Sequence, residues 1–294
     1  MIIEILTVIA PVGLIAALGF VWDRRGLPFD TNMVALLVIR IGAPSLIIST
    51  LLENRPDPNV IVDMVFAALS LVFGVAVIAA IGLRLARQSM QVFLPALIFP
   101  NAGNMGIPLC LFAFGDEGLA LSVTFFAAMA LTQFTLGLTV ASGRFSARDV
   151  VANPVLWATA LSMVMLFSGA EFPRWIDSTV DVIAGLVIPL MLMSLGISLS
   201  RLKPSSLVRS TNFALSRLLV GFFAGIAVTS LLGLEGVAQS TVIIQASMPT
   251  AVFNYLFAVR YGNQPEEVAG IVVVSTLISF LTLPFLMAYA LSLV

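Results

Sequence analysis

The chain has no histidine, a single cysteine, and only 14 basic and 15 acidic residues among 294. Without histidine there is no imidazole proton relay and no Ser-His pair, and most zinc chemistry is excluded. Cys110 sits alone inside an apolar run, which rules out a disulfide framework and a cysteine-based metal site; it reads as a small buried hydrophobe. Aspartate-rich prenyl-transfer loops and a Gly-x-Gly-Asp protease motif are missing too. We therefore expect no enzyme, no cofactor, no metal site and no nucleic-acid partner.

What is present is oil. Sixty per cent of the residues are hydrophobic and 10% are charged, too little polar surface for a soluble domain of this size. The expected class is an all-α polytopic membrane protein in contact with lipid. Apolar runs of about 20 residues place spans near 3–22, 31–52, 60–83, 91–114, 117–140, 152–169, 175–198, 210–233, 237–260 and 268–292. The fourth and fifth are separated only by a tight Gly115-Asp116 turn.

Ten spans put both termini on one side, and the basic residues can then be sorted. Arg24, Arg25, Arg84, Arg87, Arg144, Arg148, Arg201, Lys203, Arg209 and Arg260 fall on the opposite side, and only Arg55 and Arg174 on the terminal side. By the positive-inside rule the termini are extracytoplasmic and the first span, which begins with Glu4 instead of a basic segment, is retained. The expected location is the cytoplasmic (inner) membrane.

Residues 95–109 carry three prolines, two asparagines and two glycines in a stretch otherwise oily enough to cross a bilayer. Pro100 cannot donate to the carbonyl of Ala96, nor Pro108 to that of Asn104, so the helix must part between them. In lipid each freed backbone group costs several kcal/mol unless protein or trapped water satisfies it. A related break, Met248-Pro249-Thr250-Ala251-Val252-Phe253-Asn254, occurs at the corresponding place in the second half. Paired interruptions point to a transporter's binding site. If the two broken helices cross, the N-termini of their second halves bring partial positive charge to one point, which favours an anion.

The segment 142–153 is the only connection with loop character, and it divides the chain into residues 1–141 and 152–294, with 142–151 as a cytoplasmic linker. Five spans per half force opposite orientations, and Pro44 in the second span answers Pro189 in the seventh. We read a five-plus-five inverted repeat.

The pattern Phe99-Pro-Asn-Ala-Gly-Asn-Met-Gly-Ile-Pro-Leu109 resembles the fourth-span signature of the auxin efflux carrier family, which includes plant PIN-type carriers and bacterial malate or malonate permease-like proteins. Met248 to Tyr261 resembles the family's ninth span, Arg217-Leu-Leu-Val-Gly221 its eighth, and Gln133 a glutamine in its fifth. The likeness covers essentially the whole chain, although the central loop is short and Asn254 stands where plant members often have a second proline. The resemblance implies a fold like that of bile-acid sodium symporters, with spans four and nine crossing inside a moving transport domain of spans 3–5 and 8–10. It implies a scaffold of spans 1, 2, 6 and 7 that can form a homodimer.

Candidate substrate-binding residues are Pro100, Asn101, Asn104, Gln133, Gln245, Pro249, Thr250 and Asn254. Candidate charge partners or coupling groups are Arg40, Arg217, Asp63 and Asp181. Arg40 lies near mid-span and needs a partner, either a substrate carboxylate or a structural acid such as Asp181; on a scaffold helix the structural role is favoured. Arg217 lies seven residues inside its span, and Asp63 and Asp181 enter from the outer side, where interfacial solvation is the default.

The expected function is secondary transport of a small organic anion, a malate- or auxin-like carboxylate, by an elevator-type movement. One negative charge leaving the cell gains about 2.3 kcal/mol per 100 mV, so efflux could run uncoupled, whereas import needs a cation. A proton would ride on an aspartate, and sodium would use carbonyls and asparagines at the break. The alternatives are a sodium-coupled organic-anion symporter and a membrane ligand sensor that moves nothing.

Overall fold

The structure, a computed structural model, describes residues 2–202 and 206–294; Lys203, counted above among the basic residues, lies outside the described residues. The chain runs as α1 (Ile2–Arg24), α2 (Thr31–Leu37) and α3 (Ala43–Asn54) joined by a π-helical turn Val38–Gly42, then α4 (Pro58–Leu85) and α5 (Met90–Ile98). A π-helical turn Ala102–Gly106 leads into α6 (Ile107–Thr132), and a third, Gln133–Gly137, into α7 (Leu138–Ser142). There follow α8 (Ala147–Val151), α9 (Pro154–Ser168), α10 (Arg174–Arg201), α11 (Leu207–Leu232), α12 (Gly236–Ala246), α13 (Val252–Tyr261) and α14 (Pro265–Leu291). Among the described residues there is no strand, only one isolated antiparallel bridge, Pro100 with Thr250.

Local sequence explains the helix starts. Asp30 caps α2 by accepting from the amides of Asn32 and Met33, Asp57 caps α4 ahead of Pro58, and Asn153 caps α9 ahead of Pro154. In each of the latter two, proline occupies a position whose N–H would have no partner anyway.

Among the described residues, seven helical runs are long and apolar enough to cross a membrane: Ile3–Arg24, Thr31–Asn54, Pro58–Leu85, Ala102–Ser142, Arg174–Arg201, Leu207–Leu232 and Pro265–Leu291. This is an all-helical, multi-pass membrane protein. The difference from the expected ten has identifiable causes. The fourth and ninth expected spans are interrupted, leaving α5, α12 and α13 with 9, 11 and 10 residues. The sixth corresponds to α9, whose 15 residues fall short of a full crossing.

The 41-residue run Ala102–Ser142 is twice a membrane's thickness, and it is not straight. Gly115, with φ 63° and ψ −145°, turns the chain inside α6. In a continuous helix Cys110 and Gly118 would stand about 12 Å apart along the axis. Here a methyl on Gly118 would run into the Cys110 carbonyl, so the chain doubles back where the Gly115-Asp116 turn was expected.

Packing gathers the helices around two centres. α1 lies along α10, and α3 packs on α9 and α10. Elsewhere α4 packs on α5, α6 and α11, while α12 is held among α6, α11 and α14. α6 touches both groups through α1 and α3.

Candidate functional site

The two interruptions face one another and satisfy each other's backbone. The Asn101 amide donates to the Pro249 carbonyl at 2.7 Å, and the Ala251 amide donates to the Phe99 carbonyl at 3.1 Å. The Ala96 carbonyl, which Pro100 strips of its helical donor, accepts from the Thr250 hydroxyl at 2.9 Å. The Thr250 amide in turn donates to the Ser275 hydroxyl oxygen at 3.1 Å. Asn254 Nδ2 donates to Phe99 O at 3.2 Å, while its Oδ1 accepts from Gln133 Nε2 at 3.1 Å. Each open peptide group named here thus has a partner from the other break or from a neighbouring helix, as hydrocarbon demands.

Of the side chains that line the gap between the breaks, one keeps a buried polar atom without a partner. Asn101 is 4% exposed and its Nδ2 has no hydrogen-bond partner. Its backbone is fully engaged, since its carbonyl also accepts from the amides of Met105 and Gly106. The residue lines a small cavity of about 20 Å³ together with Pro100, Asn104, Phe126, Gln133 and Phe253. That is room for a water or for one carboxylate oxygen.

A second cavity of about 330 Å³ adjoins it, with Asn104, Met191 and Phe253 belonging to both. It is bounded by α2 from Thr31 to Ala35, by Met191, Ser194, Ser198 and Arg201 of α10, and by Val252 to Val259 of α13. From Met191 to Arg201 it runs about 15 Å at 1.5 Å per residue. At its outer end Arg201 holds three segments together, donating through Nε to Asp23 (2.7 Å), through Nη1 to the Thr31 hydroxyl (2.7 Å) and through Nη2 to the Phe29 carbonyl (3.1 Å). At its inner end stand Asn104 on its π-helical turn and the first turn of α13, where unpaired N–H groups carry partial positive charge.

Seven of the eight sequence-derived binding candidates therefore meet at the breaks: Pro100, Asn101, Asn104, Gln133, Pro249, Thr250 and Asn254. Gln245 does not reach either cavity. It is fully buried one layer behind, packed against Gly106 with Nε2 donating to the Ser122 carbonyl at 3.4 Å.

The charged candidates lie elsewhere. Arg217 sits on α11 behind the end of α12, its Nη2 donating to the Ala246 carbonyl at 2.8 Å. Arg40 does not pair with Asp181: Asp181 accepts from the Ser49 hydroxyl at 2.7 Å, and Arg40 is exposed on its π-helical turn with no ion pair among the described residues. Asp63 is half-buried in the second turn of α4, away from both cavities.

Sequence reasoning missed the walls. Met191, Ser194, Ser198 and Arg201 recur at three- and four-residue intervals, a face of α10 that helical spacing alone could have flagged. Phe126 and Phe253 carried no signal, because an aromatic in an apolar span is ordinary. Phe253 stacks edge-on with Phe134 at 5.6 Å.

Residues 4–150 and 138–287 match the membrane transport protein family. An uncharacterized transporter of Methanothermobacter thermautotrophicus is 26% identical over 268 residues, covering 87% of each chain. One from Methanocaldococcus jannaschii is 26% identical over 197 residues, covering 62% of this chain and 63% of its own. Auxin efflux carrier component 3a of Oryza sativa is 25% identical over 150 residues, covering 48% of this chain but 24% of the rice protein. The chain belongs to the membrane transport protein family, that of the auxin efflux carriers.

Proposed function

We propose that this protein carries a small organic anion, a malate- or auxin-like carboxylate, across the cytoplasmic membrane. The observation that carries the reading is the free Nδ2 of Asn101, a buried donor beside a cavity the size of a carboxylate oxygen. A buried polar group without a partner costs about 1–3 kcal/mol. A ligand acceptor offsets that cost, and the N-terminal turn of α13 favours a negative one. The larger cavity would then admit the ligand past Ser198 and Ser194, with Met191 and Phe253 narrowing the way to Asn101.

The mouth of that cavity lies where α1 ends, α2 begins and α10 ends, beside Arg24, Arg25 and Arg201. By the positive-inside rule that side is cytoplasmic, so the conformation is inward-open and both termini are extracytoplasmic. The packing supports the ten-span, five-plus-five reading, with the broken helices crossing at the Pro100–Thr250 bridge. In it α1–α3, α9 and α10 form a scaffold, able to dimerise, and α4–α7 with α11–α14 form the domain that moves. Coupling to sodium at the breaks is disfavoured, because the carbonyls of Ala96, Phe99, Ala246 and Pro249 already accept hydrogen bonds within the chain.

A cysteine at Ser198 tests the reading. In sealed vesicles it should react with a membrane-impermeant maleimide from the cytoplasmic face only, and a transported carboxylate should slow the reaction. Reaction solely from the opposite face would overturn the orientation. Unchanged reactivity under saturating carboxylate would overturn the cavity's role.

A further inference from the structure

A further cavity, outside the proposed transport path, holds a buried charge that no ion pair among the described residues balances. Arg217 is fully buried on α11, and although Nη2 donates to Ala246, its Nε and Nη1 have no partner. It forms no ion pair among the described residues. The carbonyl end of α12 contributes only about half a negative charge. An uncompensated guanidinium at such depth is expensive.

The same arginine lines a crevice of about 260 Å³ between α4, from Val75 to Leu83, with Ala86 just past its end, and α11, from Phe213 to Val220, with Leu97 at its back. Apart from Arg217 and Ser216 the lining side chains are apolar. Val75, Leu83 and Leu97 are buried, whereas Ile78, Gly82 and Ser216 are exposed at the mouth, which opens sideways onto what would be lipid. The end of α12 separates this crevice from the cavities at the breaks: Arg217 bonds Ala246, three residues before the Pro249 that pairs with Asn101.

We propose that the crevice binds the carboxylate of a single-chain lipophilic anion of the fatty-acid type, drawn from the membrane, with its head on Nε and Nη1 of Arg217 and its chain along α4 and α11. Charge selects an anion, and the apolar walls select an aliphatic body. Depth selects a carboxylate over a phospholipid phosphate. Arg217 lies ten residues from the Leu207 end of α11, about 15 Å along the helix, below the headgroup level where two-chain lipids hold their phosphates. A carboxylic acid can pass that hydrocarbon in its neutral form and ionise beside the guanidinium, whereas a phosphodiester stays charged.

Photolabelling of the intact protein in phosphatidylcholine nanodiscs with a diazirine-bearing palmitate tests this. The label should concentrate on residues 75–86 and 213–220 and be displaced by oleate but not by oleyl alcohol. Gly82→Phe should reduce labelling there at least about tenfold, as should Arg217→Gln. A Cβ on Gly82 meets no atom within 4 Å, so a side chain can start there at the mouth of the crevice without touching the backbone, and this variant decides the matter even if Arg217→Gln fails to fold. Even labelling over all lipid-facing helices, labelling unchanged by Gly82→Phe, or displacement by phosphatidylglycerol as effective as by oleate would each overturn the proposal.

Discussion

Asn101→Ala is expected to lower carboxylate transport about a hundredfold, the loss of a hydrogen bond to a charged ligand group, while leaving the melting temperature unchanged or higher. The two effects separate because of how the residue is wired. The hydrogen bonds that Asn101 makes within the fold run through its backbone, with its amide on Pro249 and its carbonyl taken by Met105 and Gly106. Its side-chain Nδ2 is buried without a partner. Removing such a donor relieves a desolvation penalty of about 1–3 kcal/mol in the empty protein. The same truncation at Asn254 should behave differently, since that amide bonds both Phe99 and Gln133; there stability falls along with transport. Thermal unfolding of the two variants beside vesicle transport checks the contrast. A destabilised Asn101→Ala protein with normal transport would mean that the side chain is structural.

Gly196→Leu should prevent assembly of the helices proposed as scaffold. α1 and α10 lie against each other at glycines on both: a methyl at Gly196 would overlap the Ala16 carbonyl, and one at Gly19 would overlap the Met193 carbonyl. Small residues let transmembrane backbones approach this closely, which is where association in lipid finds its dispersion energy. The obstructing atoms are backbone and cannot swing aside, so the helices must separate. Overpacking typically costs 1–3 kcal/mol, and for a whole leucine against backbone we expect at least about 3 kcal/mol and loss of the monodisperse species in size-exclusion chromatography. Gly185→Leu on the same helix is the control, because a Cβ there meets nothing within 4 Å. Equal stability of the two variants would contradict the close contact.

How much of this could be read from the chain depends on how local the cause is. The breaks could be read because proline acts on a carbonyl four residues back: Pro100 names Ala96 as the group needing a donor, and Thr250 is the residue that supplies it. The pairing partner was also within reach, since Met248 to Asn254, at the corresponding place in the second half, again combines a proline and an asparagine inside an apolar run. The turn at Gly115 followed from the length of its run. Contacts between side chains far apart in sequence were not accessible in this way. Arg40 needed a partner and Asp181 stood at a plausible depth, but Ser49, from the same span as Arg40, reaches the carboxylate instead. Gln245 had the right chemistry for an anion, yet it points at Gly106 and not into a cavity. For Arg217, what engages it is a carbonyl at a helix end, which no residue type announces.

The most direct test of the central claim is a density map of the protein bound to whichever carboxylate gives the largest thermal stabilisation. The account predicts ligand density where the two cavities meet, with a carboxylate oxygen within hydrogen-bond distance of Asn101 Nδ2, between Asn104 and the first turn of α13. Density for that stabilising ligand elsewhere, with Asn101 Nδ2 still unpartnered, would contradict it.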